Sequence, residues 1–199
     1  KENDISNWKA YKRARVGIGR LFQDNHIFPN ITVLENMCLS SSNTFGETPF
    51  ISLFRNRKSK LIENNRKKRA DEILSELFEG NNETLLNKKN KLAGELSYGE
   101  KRLLGLARIF MGEYDLVLLD EPTAGVNEAL INNIQDMVEK LTKKNVTIFF
   151  IEHERKIVDD ISNRIINLNK MKEEIKHRKY LNEMLQLSIS NRDFNVYDG

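Results

Sequence analysis

The segment Leu116-Val117-Leu118-Leu119-Asp120-Glu121-Pro122 constrains the fold of this chain more than any other. A short apolar run stops on two carboxylates and is followed by a helical pattern over about 128–143, then by a second apolar run, Val146 to Ile151. Strand, helix and strand in that order make a crossover unit, and such a unit pairs its strands in parallel. Parallel strands are covered on both faces, so their sequences read as continuous apolar runs. The expected fold class is α/β with a parallel sheet core. Asp120 and Glu121 then fall together at a strand end. Burying two adjacent carboxylates is costly unless a cation compensates, so the pair suits a site where one acid organises a metal ion and the other activates water. A helix-capping acidic pair is the plainer reading.

Two further segments belong with this one. Ser97-Tyr98-Gly99-Glu100 has the S-x-x-E form of a capping box, and Leu103, Leu104, Ala107, Phe110 and Met111 follow at helical spacing, which predicts a helix starting there. A helix start carries about +0.5 of an elementary charge and unpaired amides, an arrangement that binds phosphate. His153 lies just past the second apolar run, where a histidine is in most proteins only a surface or capping residue.

Along the rest of the chain, Arg15 to Gln23 reads as a short strand, His26 to Asn30 as a turn, and Thr32 to Met37 as a helix start. A loop is expected from Cys38 to about Pro49. Ala70, Ile73, Leu74, Leu77 and Phe78 recur at helical spacing between Glu63 and Glu79, with Gly80-Asn81-Asn82 as the stop. A helix over Arg155 to Ile161, a strand over Arg164 to Leu168 and an amphipathic helix around Tyr180 to Leu187 complete the expectation.

Composition narrows the classes further. With 199 residues, 39% of them apolar, the chain can form one globular domain or a large part of one. The single cysteine, Cys38, excludes an internal disulfide framework and a clustered-cysteine zinc site, which suits a reducing, cytosolic setting. The apolar runs fall far short of the roughly 18 residues of a membrane helix. A net charge of +3 does not by itself imply nucleic acid, and no nucleic-acid partner is expected. The basic run of Arg55, Arg57, Lys58, Lys60, Arg66, Lys67, Lys68 and Arg69 reads as a solvated helical face, or as a contact with anionic lipid head groups or a membrane partner.

Taken in order, Leu96-Ser97-Tyr98-Gly99-Glu100, Leu116 to Pro122 and Ile151-Glu152-His153-Glu154 resemble the signature, Walker B and switch-histidine motifs of the ATP-binding cassette (ABC) ATPases. Gln23 after Leu21-Phe22 resembles their Q-loop, and Ala124-Gly125-Val126-Asn127 their D-loop. The likeness runs from about Asp4 to Asn169 and includes Phe28-Pro29-Asn30-Ile31-Thr32-Val33-Leu34-Glu35-Asn36. Within the family, the Tyr-containing signature, the D-loop and the helical insertion look most like the ATPase subunits of branched-chain amino-acid importers. Departures are Tyr98 and Glu100 for the commoner Gly and Gln, Leu21 for Thr, Glu128 for Pro, and no turn glycine in Asn169-Lys170-Met171-Lys172.

The resemblance implies a P-loop NTPase fold with ATP and Mg²⁺ as cofactors. It divides the chain into a helical subdomain at about 24–96, a core with the signature helix, Walker B and switch histidine at 97–169, and a tail at 170–199. Asp120, with Gln23, would hold Mg²⁺; Glu121 would be the general base, aligned by His153 and assisted by Gln23; Ser97, Tyr98, Gly99 and Glu100 would face the γ-phosphate of a second cassette in a head-to-tail homo- or heterodimer. Membrane permease subunits and a solute-binding protein are the implied partners, with the ATPase peripheral on the inner face of the membrane. No glycine is followed by lysine, so these residues hold no G-x-x-x-x-G-K-[ST] phosphate loop. The expectation is a cassette truncated at its N-terminus, binding ATP weakly or not at all and inactive alone, or else a non-catalytic interaction remnant. Retention of Gln23, Asp120, Glu121 and His153 together favours the former. A lipid-exporting ATPase is the alternative among transport roles.

Overall fold

The computed structural model describes residues 4–22, 26–41, 58–78, 85–167 and 194–197. Contacts divide the chain into a strand-bearing unit, Lys1–Asp24 with Tyr114–Gly199, and a helical unit, Asn25–Glu113. In chain order the elements are α1 (Ala10–Arg15), β1 (Ile18–Leu21), α2 (Val33–Cys38), α3 (Lys58–Phe78), a 3-10 turn (Ala93–Glu95), α4 (Tyr98–Ile109), β2 (Leu116–Asp120), α5 (Glu128–Lys143), β3 (Thr147–Glu152), α6 (Arg155–Ile161), β4 (Ile165–Asn167) and β5 (Phe194–Tyr197).

The strand-bearing unit is built on a parallel sheet in the order β1-β2-β3-β5-β4. Register sets Leu21 beside Leu119 and Asp120 beside Ile151, so the C-terminal ends of β1, β2 and β3 share one edge of the sheet. Val117, Leu119, Ile148 and Phe150 are buried within it. α5 buries Ile134, Met137, Val138 and Leu141, the i, i+3, i+4, i+7 set of an amphipathic helix. At the start of β1, Gly17 has φ +86° and a Cβ there would meet the Asp115 carboxylate at 2.8 Å, so glycine is needed twice over.

In the helical unit, α3 buries Ala70, Ile73, Leu74, Leu77 and Phe78, as their spacing predicts. Its opposite face carries exposed Lys60, Lys68 and Arg69, and Lys67 and Lys68 pair with Glu63 and Glu72 one turn away. That part of the basic run is a solvated face. Buried Asn36 ties the turn before α2 to the helix: its amide accepts from the Phe28 N–H at 2.9 Å and donates to the carbonyls of Phe28 and Thr32 at 2.9 and 3.0 Å. Gly94 lets Pro29 approach, since a Cβ there would sit 3.0 Å from its carbonyl oxygen.

Three differences from the sequence expectation have physical reasons. Contacts group α4 with the helical elements, whereas the expectation set residues 97–169 together as core; a periodic apolar stripe shows that a helix is buried, not against what. α1 was not anticipated, because its six residues bury nothing and so leave no periodic signal. β5 was not anticipated either: four residues at the end of a polar tail are too few to display a period, and the parallel pairing that defines β5 comes from β3 and β4, remote in sequence. The loop over 42–49, the Gly80–Asn82 stop, the tail helix around Tyr180–Leu187, Arg55, Arg57 and Gln23 lie outside the described residues.

Candidate functional site

Two strand ends meet where β2 and β3 run side by side. Asp120 closes β2, and the chain leaves it through Glu121, whose φ of +45° is left-handed backbone that costs a non-glycine residue about 1–3 kcal/mol. The Glu121 N–H donates to the Ile151 carbonyl at 3.0 Å, holding this departure against β3. From there the carboxylate reaches across, and Glu121 Oε1 lies 2.8 Å from His153 Nε2. An ionised carboxylate only accepts, so Nε2 is the donor of this pair. The Glu121 side chain is 24% exposed and that of His153 59%, which leaves both open to a reactant.

Asp120 is 37% exposed and receives the Arg20 guanidinium at 3.4 Å from β1, while Arg20 also stacks over the Phe22 ring at 4.3 Å. Beneath these groups a second link runs the other way. Glu152, the last residue of β3 and 3% exposed, accepts from the Thr123 N–H at 2.8 Å and from its hydroxyl at 2.6 Å. Sequence reasoning passed over both residues, although a glutamate inside an apolar strand, Phe149-Phe150-Ile151-Glu152, is itself a signal that something polar must satisfy it. Asn127, after the turn, caps α5 by accepting from the Leu130 N–H at 3.0 Å.

In the helical unit the capping box is formed at Ser97. Its hydroxyl accepts from the Glu100 N–H at 3.3 Å and the Glu100 carboxylate accepts from the Ser97 N–H at 2.9 Å. Tyr98 is exposed and Gly99 buried. Lys88, absent from the sequence reading, forms an ion pair with Glu100. Burial pushes the Glu100 carboxyl up, but the Lys88 ammonium and the Ser97 N–H and hydroxyl outweigh it and hold it below the usual carboxylate range. At the other end of α4, Arg108 donates to the Ser40 hydroxyl and the His26 carbonyl, each at 2.8 Å.

The structure therefore brings Asp120, Glu121 and His153 to one sheet edge and sets Ser97, Tyr98, Gly99 and Glu100 at one helix start. A parallel α/β sheet with these acids at its C-terminal edge is a P-loop NTPase-like fold. The family model for the ABC transporter matches residues 1–124, and the chain belongs to that family. It is 30% identical over 167 residues to the high-affinity branched-chain amino acid transport ATP-binding protein BraF of Pseudomonas aeruginosa, covering 83% of this chain and 63% of that protein. With the LivG protein of Escherichia coli, of the same description, it shares 31% identity over 157 residues, 78% of this chain and 59% of the other. Among solved structures it resembles a nucleotide-free ATP-binding cassette from an ABC transporter, with 33% identity and a TM-score of 0.61 over 80% of this chain and 60% of that one. The chain thus spans 59% to 63% of the length of these two curated relatives.

Proposed function

We propose that this chain carries the signature, Walker B and switch-histidine portion of an ATP-hydrolysing subunit that energises a membrane transporter, with import of branched-chain amino acids as the transport role. The observation that carries this reading is the 2.8 Å Glu121–His153 pair beside Asp120. Glu121 is the general base: its carboxylate, aimed by a strained backbone, takes the proton of a water attacking the γ-phosphate of ATP, a role worth about 10²–10⁴-fold in rate. His153 donates its Nε2–H to that carboxylate and so keeps it and the attacking water in register. Gln23 assists as the Q-loop glutamine by the family resemblance.

Asp120 fits Mg²⁺ of the kind bound by one carboxylate and the substrate phosphates, since its carboxylate is open to water. Among the described residues no group of three or more His, Cys, Asp or Glu could hold a metal ion. Bound there with ATP, Mg²⁺ supplies neutralisation of phosphate charge. Ser97, Tyr98, Gly99 and Glu100 present the start of α4 to ATP held by a second subunit, homo- or heterodimeric. Permease subunits, and a solute-binding protein that chooses the cargo, complete the transporter, and the ATPase sits on the cytoplasmic face of the membrane. No described helix is long and apolar enough to cross a membrane.

The names of the branched-chain relatives support the cargo class. Hydrolysis assays of the full-length protein test the reading: Glu121→Gln is expected to retain ATP binding and lose turnover by about 10²-fold or more. Turnover near that of the unmodified protein would sink it.

A further inference from the structure

We propose that Glu152 is a positioning residue for the Glu121–His153 pair, acting through Thr123; the inference rests on the ATPase reading above for its consequence, though not for its geometry. β2 and β3 end side by side, and the two loops that leave them are laced crosswise. Glu121, just past β2, reaches His153 past β3. Glu152, at the end of β3, reaches Thr123 in the turn past β2 and accepts both its N–H and its hydroxyl, at 2.8 and 2.6 Å.

Thr123 stands in the turn that begins with Glu121. The Ala124 N–H donates to the Glu121 carbonyl and the Val126 N–H to the Thr123 carbonyl, each at 3.2 Å, so clamping Thr123 clamps the whole turn. Glu121 at φ +45° needs such a clamp, because a left-handed glutamate persists only where its surroundings over-determine it. Glu152 and Thr123 are 3% and 6% exposed, shielded from the water that would compete for these bonds. Burying a carboxylate is costly, and its two bonds from Thr123 offset that cost. Its place under a strained base is accounted for if it fixes geometry. The clamped residue is continuous with Ala124-Gly125-Val126-Asn127, whose Ala124 N–H is itself bonded to the Glu121 carbonyl.

The test uses variants that keep or remove the acceptor and the donor. Glu152→Ala removes the acceptor and Glu152→Gln keeps an oxygen in its place; Thr123→Val removes the hydroxyl and Thr123→Ser restores it. The chain has three histidines, His26, His153 and His177, so ring signals in nuclear magnetic resonance spectra are few enough to assign. In the 199-residue chain, Glu152→Ala and Thr123→Val should shift the His153 ring signal and leave that of His26 in place, while Glu152→Gln and Thr123→Ser stay close to the unmodified protein. In the full-length protein the first two should lower kcat about tenfold or more, as expected for a displaced catalytic group, with KM for ATP within about twofold. Should Glu152→Ala fail to fold by circular dichroism, the Thr123 pair decides alone. An unmoved His153 signal together with unchanged kcat in Thr123→Val would overturn the proposal. Failure of the ATPase reading is separable from this: it shows as full turnover in Glu121→Gln, whatever the His153 spectra report.

Discussion

Glu121 and Glu100 are the same side chain in two different backbone settings, and the settings decide what each carboxylate is for. Glu121 follows a strand on left-handed backbone, is 24% exposed, and meets the ring of an exposed histidine. Glu100 lies in the first turn of a long helix, is 14% exposed, and is fixed by the Lys88 ammonium and the Ser97 N–H. Strain and openness are tolerated where a group must change partners during a reaction. Burial and several donors suit a group that must not move. On the proposed reading the strand end is the reactive element, and the start of α4 is a fixed frame within the helical unit.

The largest expected effects would break that comparison if they fell on the wrong side. Glu121→Gln and His153→Ala should remove most turnover in the full-length protein, while the unfolding free energy of the 199-residue chain changes by only about 0.5–1.5 kcal/mol, the net contribution of one hydrogen bond. Denaturant titration beside a phosphate-release assay reads both. A loss of stability as large as that from a core deletion would make the strand end a frame as well.

Next in size is the effect of Ser97→Arg, which puts bulk and charge at the start of α4. In a head-to-tail dimer it spoils the site of the neighbouring subunit, so mixing Ser97→Arg subunits with Glu121→Gln subunits places both defects in one shared site and leaves the other intact. Mixed dimers should turn over ATP faster than either parent, provided ATP-dependent dimerisation is confirmed by light scattering. Restoration absent from mixtures that do dimerise would remove Ser97 from the partner's site or show that the two sites fire only together.

Smaller again is the Lys88–Glu100 pair. Lys88→Ala strips a partly buried carboxylate of its cation and should cost about 1–3 kcal/mol, while adding Glu100→Gln should return most of it, because the amide needs no countercharge. A double-mutant cycle by urea denaturation measures the coupling. If Glu100→Gln instead lowered turnover as much as Glu121→Gln, Glu100 would itself be reactive rather than part of a frame.

Much of this was legible in the residues because it obeys short-range rules. The α5 and α6 boundaries, the capping box at Ser97 and the parallel pairing of β2 with β3 all follow from apolar period, cap chemistry and the crossover rule. Asp120, Glu121 and His153 were legible as motif residues, and parallel register explains why they converge. What stayed hidden depends on contacts between remote residues. Lys88 meets Glu100 across twelve positions, Thr123 meets Glu152 across twenty-nine, and Arg108 meets His26 across eighty-two. No local pattern marks a lysine as one that will find a carboxylate. The left-handed backbone of Glu121 was hidden for a related reason: propensity argues against it, and only the surrounding turn enforces it.

The smallest effect compares two frames rather than frame and reaction. The helical unit uses the same cap twice, Ser97 with Glu100 and Thr32 with Glu35, and Glu35 accepts from both the Thr32 N–H and its hydroxyl at 2.8 Å. The Thr32 N–H first and its hydroxyl second hold the Glu35 carboxyl below its usual range. For Glu100 burial works upward and is overcome by Lys88 and Ser97, so the net shift is also downward. Both carboxylates are therefore more acidic folded than unfolded, the unfolded chain binds more protons in acid, and each contributes stability above the ordinary glutamate value of 4.5 that is lost as pH falls through its lower folded value. Urea midpoints should fall from neutral pH into the acid range below 4.5, and Glu35→Gln or Glu100→Gln should each flatten the fall. Glu100→Gln should flatten it more, because Glu35 is nearly fully solvated and water and salt screen what it contributes. Equal flattening by the two variants would mean that Lys88 adds nothing to the second cap, and the distinction between a plain helix cap and a reinforced one would be lost.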